Sequence, residues 1–189
     1  MAPRVKVTKD DIINKCIELI RVNGSGSINA RGIANALNCS TQPIFSNFSS
    51  MEELESEVII AIYNIYLEFL KKEADSEQYP KYKAYGMAYI RFAKEEKELF
   101  KLLFMRDRSK EDISPSWDFK ASVQMIIDAN STISREKAEL MHLEMWTCVH
   151  GIATMIATSF VPLEWEFISE IMSDVYHGIK ARHVDSEVR

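Results

Sequence analysis

The stretch 27–54 constrains the fold more than any other part of the chain, because two short helical patterns meet there at a tight turn. Apolar residues recur at helical spacing on both sides of the turn: Ile33, Ala34 and Leu37 before it, and Ile44, Phe45 and Phe48 after it. Between them, Asn38 suits a left-handed backbone, and Ser40 is predicted to cap the second helix. This arrangement is typical of a helix-turn-helix.

In a helix-turn-helix, the second helix presents its first exposed residues to base edges in the major groove of DNA. Here those residues are Thr41 and Gln42. Pro43 falls in the first turn, where its missing N–H is harmless. Phe45 and Asn47 follow one turn later and are predicted to reach the phosphate backbone. The spacing alone is equally consistent with a small helical hairpin that only packs.

Written as IA-x-x-L-x-x-S-x-x-x-IF-x-NF-x-S-x-x-x-L, residues 33–54 resemble the DNA-binding signature of the TetR family of bacterial transcriptional regulators. The length of the chain, the N-terminal position of the motif and the helical remainder resemble that family too. The chain departs from the usual pattern at four positions, with Asn38 for Gly, Phe45 for Tyr, Asn47 for His or Tyr, and Met51 for Lys. Phe45 has no hydroxyl and Met51 has no charge, so two of the family's contacts with the DNA backbone are expected to be weakened or replaced here.

The charge is unevenly distributed along the chain. The whole sequence carries a net charge of −5, whereas residues 1–50 hold six Lys/Arg and three acids, a balance of +3 that leaves −8 for the rest. Phosphate neutralisation depends on charges near the contact surface, so a basic head on an acidic body suits a local DNA footprint. Arg4 and Lys6 are predicted to form a basic arm along DNA, with a solvated tail as the alternative.

Two other classes of protein are disfavoured by composition. The three cysteines, Cys16, Cys39 and Cys148, are too scattered for a disulfide framework or a zinc site. The N-terminus lacks the apolar core of a signal peptide, and no apolar run approaches the ~20 residues that span a bilayer. We expect a cytoplasmic protein without a cofactor.

Apolar periodicity predicts an all-α fold of about nine helices in two domains. The predicted domains are a helix-turn-helix head, 1–54, and a helical ligand-binding and dimerisation body, 55–189. The first helix is capped by Thr8 and ends at Asn23-Gly24, and Asn29 caps the second. A capping box of Ser50 and Glu53 opens the fourth. From the fourth onward, the predicted helices cover 52–72, 80–94, 97–105, 117–129, 134–160 and 162–180.

The helix predicted over 134–160 is hydrophobic nearly all the way round from Leu143 onward. Such a helix must be covered on every side, so a second subunit is expected to supply part of the cover. The last two helices of two chains would then form an intersubunit four-helix bundle, giving a homodimer with two-fold symmetry. The alternative is that both helices complete the core of a monomer.

The most distinctive feature of the body is Trp146-x-x-x-His150-Gly151, which resembles the W-x-x-x-H-G element of one TetR subgroup. His142 lies on the same predicted helix face, one turn before Trp146. Trp146 and the two histidines are therefore candidates for lining a pocket, although a hydrogen-bonded core histidine and a core aromatic explain them as well. The candidate ligand-binding residues are Tyr89, Phe92, Trp117, Met125, His142, Trp146 and His150. A metal site is rejected, because the two histidines have no clear carboxylate partner.

The sequence contains no glycine-rich phosphate loop, nucleophile elbow, HExxH motif or paired carboxylates in an apolar setting, so an enzyme is not expected. We interpret the chain as a homodimeric DNA-binding regulator of a palindromic operator. The resemblance implies a repressor that a small-molecule effector releases by moving the helix 52–72. Residues expected mainly to position the head on phosphates are Arg4, Lys6, Asn29, Arg31, Ser40, Phe45, Asn47 and Ser50. The alternative is a dimeric ligand-binding or protein-interaction module without sequence-specific DNA binding.

Overall fold

The computed structural model describes residues 7–109, 117–130 and 132–184, and the described chain forms nine α-helices, one short 3-10 helix and no strand. The predicted all-α fold class is confirmed. In chain order the helices are α1 (Lys9–Asn23), α2 (Ala30–Ala36), α3 (Gln42–Asn47), α4 (Met51–Asp75), α5 (Lys81–Glu95), α6 (Lys97–Phe104), α7 (Trp117–Ala129), α8 (Arg135–Ala157) and α9 (Trp165–His183). The 3-10 helix, Ser25–Ser27, follows α1.

Local capping chemistry fixes both ends of α1. The Thr8 hydroxyl accepts from the Asp11 N–H at 3.1 Å, and the Asp11 carboxylate accepts from the Thr8 N–H at 2.9 Å. These bonds lower the pKa of Asp11, mainly through the backbone N–H. At the other end, Gly24 adopts φ 75°, a conformation that interrupts the helix. The predicted cap and stop of α1 are confirmed.

The bounds of the two C-terminal helices differ from those that the sequence pattern predicts. Helix α8 ends at Ala157 rather than 160, because Ser159 adopts the left-handed φ of 55°. Helix α9 begins at Trp165 rather than 162 and continues to His183. Within the described ranges, no helix is both long enough and apolar enough to cross a membrane.

The described chain divides into two compact units, and the first, which we call the head unit, is discontinuous in sequence. It comprises Met1–Leu67 and Glu96–Arg106, as far as these are described. In its core, α1 packs against both α2 and α6. The fully buried side chains include Ile12, Ile20, Ile33, Ile44, Leu54, Leu99 and Phe100. Compactness thus groups α6 with the helix-turn-helix, whereas the functional boundary after residue 54 stays a prediction.

The second unit, which we call the body unit, comprises Glu68–Glu95 and Asp107–Arg189, as far as these are described. Helix α8 is its centre and packs against α5, α7 and α9. One cluster of buried apolar side chains joins α7 to α8 and consists of Val123, Ile126, Ile133, Ala138 and Met141. The body unit therefore has an apolar core of its own.

Candidate functional site

The turn of the helix-turn-helix is built by short-range hydrogen bonds. The Asn29 side chain caps α2 by accepting from the Gly32 N–H at 2.8 Å. After α2, Asn38 adopts the left-handed φ of 52°, and the Cys39 N–H donates to the Ala34 carbonyl at 2.9 Å. Asparagine tolerates this conformation better than other residues with a side chain. The predicted turn at Asn38 and cap at Asn29 are confirmed.

The predicted cap at Ser40 is wrong, since the residue that precedes α3 is Thr41 and its side chain makes no capping hydrogen bond. Pro43 occupies the first turn of α3 and has no N–H to offer. The next amide, that of Ile44, already donates to the Thr41 carbonyl at 3.1 Å. A capping oxygen at the start of α3 would therefore find no free donor.

The outer face of α3 carries Gln42, which is exposed, and Phe45, whose side chain is 54% exposed. Ile44 and Phe48 are buried and fix α3 on the head unit. Neither Thr41 nor Gln42 makes a side-chain hydrogen bond to the described part of the chain. The side chains predicted to read bases are thus available to a partner.

Two further polar side chains of α3 bond to their own helix. The Ser46 hydroxyl donates to the Gln42 carbonyl at 2.8 Å, and the Asn47 amide donates to the Pro43 carbonyl at 2.7 Å. Asn47, a predicted phosphate contact, keeps one of its two N–H donors for an outside acceptor.

Cations in residues 7–50 of the head unit are mostly neutralised by the chain itself. Three of them form ion pairs: Lys9 with Glu57, Lys15 with Glu18, and Arg21 with Glu96. Arg31, exposed in the first turn of α2, has no acidic or hydrogen-bonding partner among the described residues. It is therefore the described cation of this segment that is free for a phosphate. Arg4 and Lys6 lie outside the described residues.

The start of α4 differs in one detail from the predicted capping box. The Ser50 hydroxyl accepts from the Glu53 N–H at 3.2 Å, as predicted. The Glu53 carboxylate, however, accepts from the N–H of Ser49 at 2.7 Å and from its hydroxyl, and not from the N–H of Ser50. The Ser50 half of the predicted capping box is confirmed, and the returning bond closes one residue earlier, at Ser49.

In the body unit, two Tyr–His hydrogen bonds join α5 to α8. The Tyr82 hydroxyl lies 3.0 Å from His142 Nδ1, and the Tyr89 hydroxyl lies 2.8 Å from His150 Nδ1. Burial raises the pKa of both tyrosines and lowers the pKa of both histidines, so all four side chains are neutral near pH 7. These pairs satisfy polar groups that would otherwise be costly to bury.

His142 is the more enclosed of the two histidines. It is 8% exposed, and its ring meets Phe119 edge-on with the ring centroids 4.7 Å apart. Burial lowers the pKa of His142 to about 4, partly opposed by the charge of Asp118. Tyr82, which also contacts Tyr176, was missed from the sequence. The signal was its seven-residue spacing from Tyr89, which places both tyrosines on one face of α5.

His150 has a second aromatic neighbour. The Trp146 ring stacks on it, with the centroids 4.9 Å apart and the planes 20° apart. Trp146 is 40% exposed, so this stack reaches from the Tyr89 hydrogen bond to the surface of α8. The predicted neighbours Trp146 and His150 therefore share one cluster with Tyr89.

Among the other candidate ligand-binding residues, the structure describes the side chains of Phe92 and Met125. Phe92 is fully buried and meets Phe69, with the ring centroids 5.3 Å apart. Met125 is half-buried on α7, and the side chain of Trp117 lies outside the described residues. No group of three or more metal-binding side chains occurs within the described ranges.

Sequence reading also missed a buried ion pair. Glu73 is 6% exposed and receives two hydrogen bonds from the Arg91 guanidinium, at 2.8 and 3.2 Å. The same guanidinium lies 4.4 Å from the centre of the Trp165 ring. The signal in the sequence was a lone acid on the apolar side of a helix, which requires a buried cation.

Helices α8 and α9 both leave apolar side chains in contact with solvent, and we call these exposed residues the α8–α9 face. Its large exposed members are Leu140, Leu143, Trp146 and Phe167. Gly151 and Gly178 lie on the same two helices, and a Cβ atom at either would meet nothing within 4 Å. The expectation that α8 needs cover beyond its own unit is consistent with this exposure.

Comparison with known proteins links the fold to one group of proteins. Residues 82–168 match the family model described as "Tetracyclin repressor-like, C-terminal domain". The whole structure is similar to that of a TetR-like transcriptional regulator from Rhodococcus sp. RHA1, with a TM-score of 0.61 and 14% sequence identity over 93% of this chain and 96% of that one. At this identity, the similarity concerns the fold alone. No curated protein matches the sequence.

Proposed function

We propose that this chain is a transcriptional regulator of the TetR family, which binds a palindromic operator as a dimer and is released by a small molecule. The observation that carries the proposal is the surface of the helix-turn-helix. Thr41, Gln42 and Arg31 have no side-chain partner in the described chain, whereas Asn29, Ser46 and Asn47 are hydrogen-bonded to backbone groups of the same motif. Polar side chains without a partner in their own chain are available to contact another molecule.

Two kinds of DNA contact are distinguished by position. Thr41 and Gln42, at the start of α3, would reach base edges in the major groove, where a glutamine suits adenine. Arg31 would approach a phosphate together with the first amides of α2. The predicted positioning residues Asn29 and Ser50 are already engaged in helix caps, so their remaining hydrogen-bonding groups would supply weaker contacts.

The proposed dimer forms through the α8–α9 face. Exposed Leu143 and Phe167 would lose contact with water on association, and Gly151 would allow a close approach between helices of the two subunits. Two-fold symmetry would place one α3 in each half-site, with half-sites roughly 34–36 Å apart along the DNA.

The effector site is proposed in the body unit, near the cluster of Tyr89, Trp146 and His150. An aromatic wall with a few polar anchors is typical of small-molecule pockets. The effector must bind more tightly to the form of the dimer that does not fit DNA, since only differential affinity shifts the population. As the family implies, movement of α4 would then change the separation of the two α3 helices.

The first experiment is selection of bound sites from a random double-stranded DNA library by the purified protein at near-physiological salt. We expect an enriched palindrome. Failure to enrich a site with protein shown to be folded and dimeric, and freed of bound small molecules by refolding, would overturn the proposal. It would favour the interaction-module alternative, which Phe45 and Met51 make plausible because neither can bind a phosphate through charge or a hydroxyl.

The salt dependence of DNA affinity further distinguishes a DNA-binding regulator from the interaction-module alternative. A DNA reader loses affinity linearly in log salt, and Arg31→Gln should lower the slope by about one unit for each bound subunit. Arg21→Gln is the matched control, because its charge is already held by Glu96 and its loss should leave the slope unchanged. Equal slopes for the wild type and Arg31→Gln would remove Arg31 from the DNA interface.

A further inference from the structure

Phe45 is the large apolar side chain on the proposed DNA-reading surface. It is 54% exposed, although its neighbour Ile44 is fully buried. Its ring makes no aromatic or cation contact with the described chain. It follows Gln42 by three positions on α3, so the two side chains are neighbours on the helix surface. The phenyl ring is therefore presented beside a residue proposed to read bases.

A phosphate is a poor partner for this ring. The sequence pattern predicts a backbone-positioning role for Phe45, yet the side chain has no donor and gains nothing from an anion. The major groove offers one apolar group to an approaching side chain, the C5-methyl of thymine. Burying that methyl against a phenyl ring removes apolar surface of both molecules from water.

The neighbouring side chains do not compete for this role. The hydroxyl of Ser46 and the amide of Asn47 donate to carbonyls of their own helix. Thr41 carries a methyl group, but it precedes α3 and lies about one turn from Phe45. Pro43 is only partly exposed, so Phe45 is the most exposed apolar side chain of α3.

We propose that Phe45 recognises the C5-methyl group of one thymine in each half-site and so contributes to sequence specificity. This inference rests on the proposed function, because it requires that α3 enter the major groove. It replaces a phosphate contact, which is blind to sequence, with a base contact.

The test removes single methyl groups from the DNA. In the operator obtained by library selection, each thymine is replaced in turn by deoxyuridine, which keeps every hydrogen bond of the base pair and lacks only the methyl. We expect one thymine, at symmetric positions, whose replacement weakens wild-type binding about fourfold per half-site, the value of one buried methyl. The same replacement should not change the affinity of Phe45→Ala.

Two variants complete the test. Phe45→Leu keeps an apolar side chain and should retain part of the deoxyuridine effect, whereas Thr41→Ser removes the competing methyl and should leave the effect intact. An unchanged effect in Phe45→Ala, or its loss in Thr41→Ser, would overturn the inference. A flat scan on an enriched operator would overturn it while the proposed function stands. If no operator is enriched, both fail together.

Discussion

The surface of α2 and α3 and the interface between α5 and α8 use polar side chains in opposite ways. In the head unit, Gln42 and Arg31 have no partner in the described chain. In the body unit, Tyr82 and Tyr89 are each hydrogen-bonded to a histidine of the same chain. The difference teaches that exposure decides the use of a polar group: buried groups must be paired internally, whereas exposed groups remain available for an outside partner.

The largest expected effect is a loss of DNA affinity when an unpaired polar side chain of the head unit is removed. Gln42→Ala should weaken binding to the selected operator by about 1–3 kcal/mol per half-site, hence about 2–6 kcal/mol for the dimer. Its unfolding free energy should change by less than about 0.5 kcal/mol, because the side chain is exposed. Titration of labelled operator and urea unfolding measure the two quantities. Ser46→Ala is the control on the same helix, and equal losses of affinity in both variants would contradict base reading by Gln42.

The second prediction concerns the α8–α9 face, where the body unit exposes apolar side chains to solvent. Leu143→Glu should weaken the dimer by about 4 kcal/mol, taking roughly 2 kcal/mol for each of the two symmetric copies. Sedimentation at fixed concentration should then show a monomer. The control is Val22→Glu, since Val22 is 79% exposed on α1 of the head unit. A dimer that persists in Leu143→Glu would exclude this face as the interface.

The third prediction concerns the buried Tyr–His pairs of the body unit and the dependence of protein stability on pH. His142 is neutral in the folded protein, with a pKa of about 4, whereas its unfolded value is near 6.5. Between these values the unfolded state binds the additional proton, so stability is fully present above pH 6.5 and falls as pH drops towards 4. The loss should total roughly 3 kcal/mol.

Urea unfolding of the wild type and His142→Gln from pH 7 to pH 4 isolates this contribution. The carboxylates and the other histidines titrate in both proteins, so only the difference between the two curves reports His142. A difference that stays constant across this range would show that His142 is not held neutral by burial.

The smallest effect compares glycines. Gly151→Ala should stabilise the subunit by about 0.5–1 kcal/mol, because alanine favours the helix and a Cβ would meet nothing within 4 Å. Gly86→Ala should gain less or lose stability, because its Cβ would lie 2.3 Å from the Met172 methyl. Thermal unfolding in the Leu143→Glu background removes contributions from dimer contacts. Equal stabilisation at both sites would mean that Met172 moves aside freely.

Helix positions and most caps are predictable from the sequence because their causes are local. Thr8, Asn29 and Asn38 act within a few residues of their own position, and the structure confirms each. The prediction at Ser40 fails for a reason that is also local but competitive. Pro43 removes one donor and Ile44 uses the next, so the cap has no function there.

The features of the candidate site also divide into those with local causes, which the sequence predicts, and those that depend on packing between helices. Exposure of Gln42 follows from helical periodicity, because the buried face of α3 is marked by Ile44 and Phe48. The pairing of Tyr82 with His142 joins residues 60 positions apart and depends on how α5 packs against α8. No pattern within either helix specifies that packing, so the sequence identifies both histidines and Tyr89 as candidates but does not predict which tyrosine bonds to which histidine.

The grouping of α6 with the head unit has a consequence for the order in which the protein is made. Helix α1 packs against α6, and Arg21 is bonded to Glu96 across 75 positions of sequence. The helix-turn-helix is synthesised first, yet its supporting helix α6 is synthesised only after α4 and the whole of α5 have been translated. At about 5–20 residues per second, the nascent head waits several seconds with the apolar side of α1 uncovered. During that interval, the uncovered apolar side of α1 exposes the nascent chain to aggregation and to binding by chaperones.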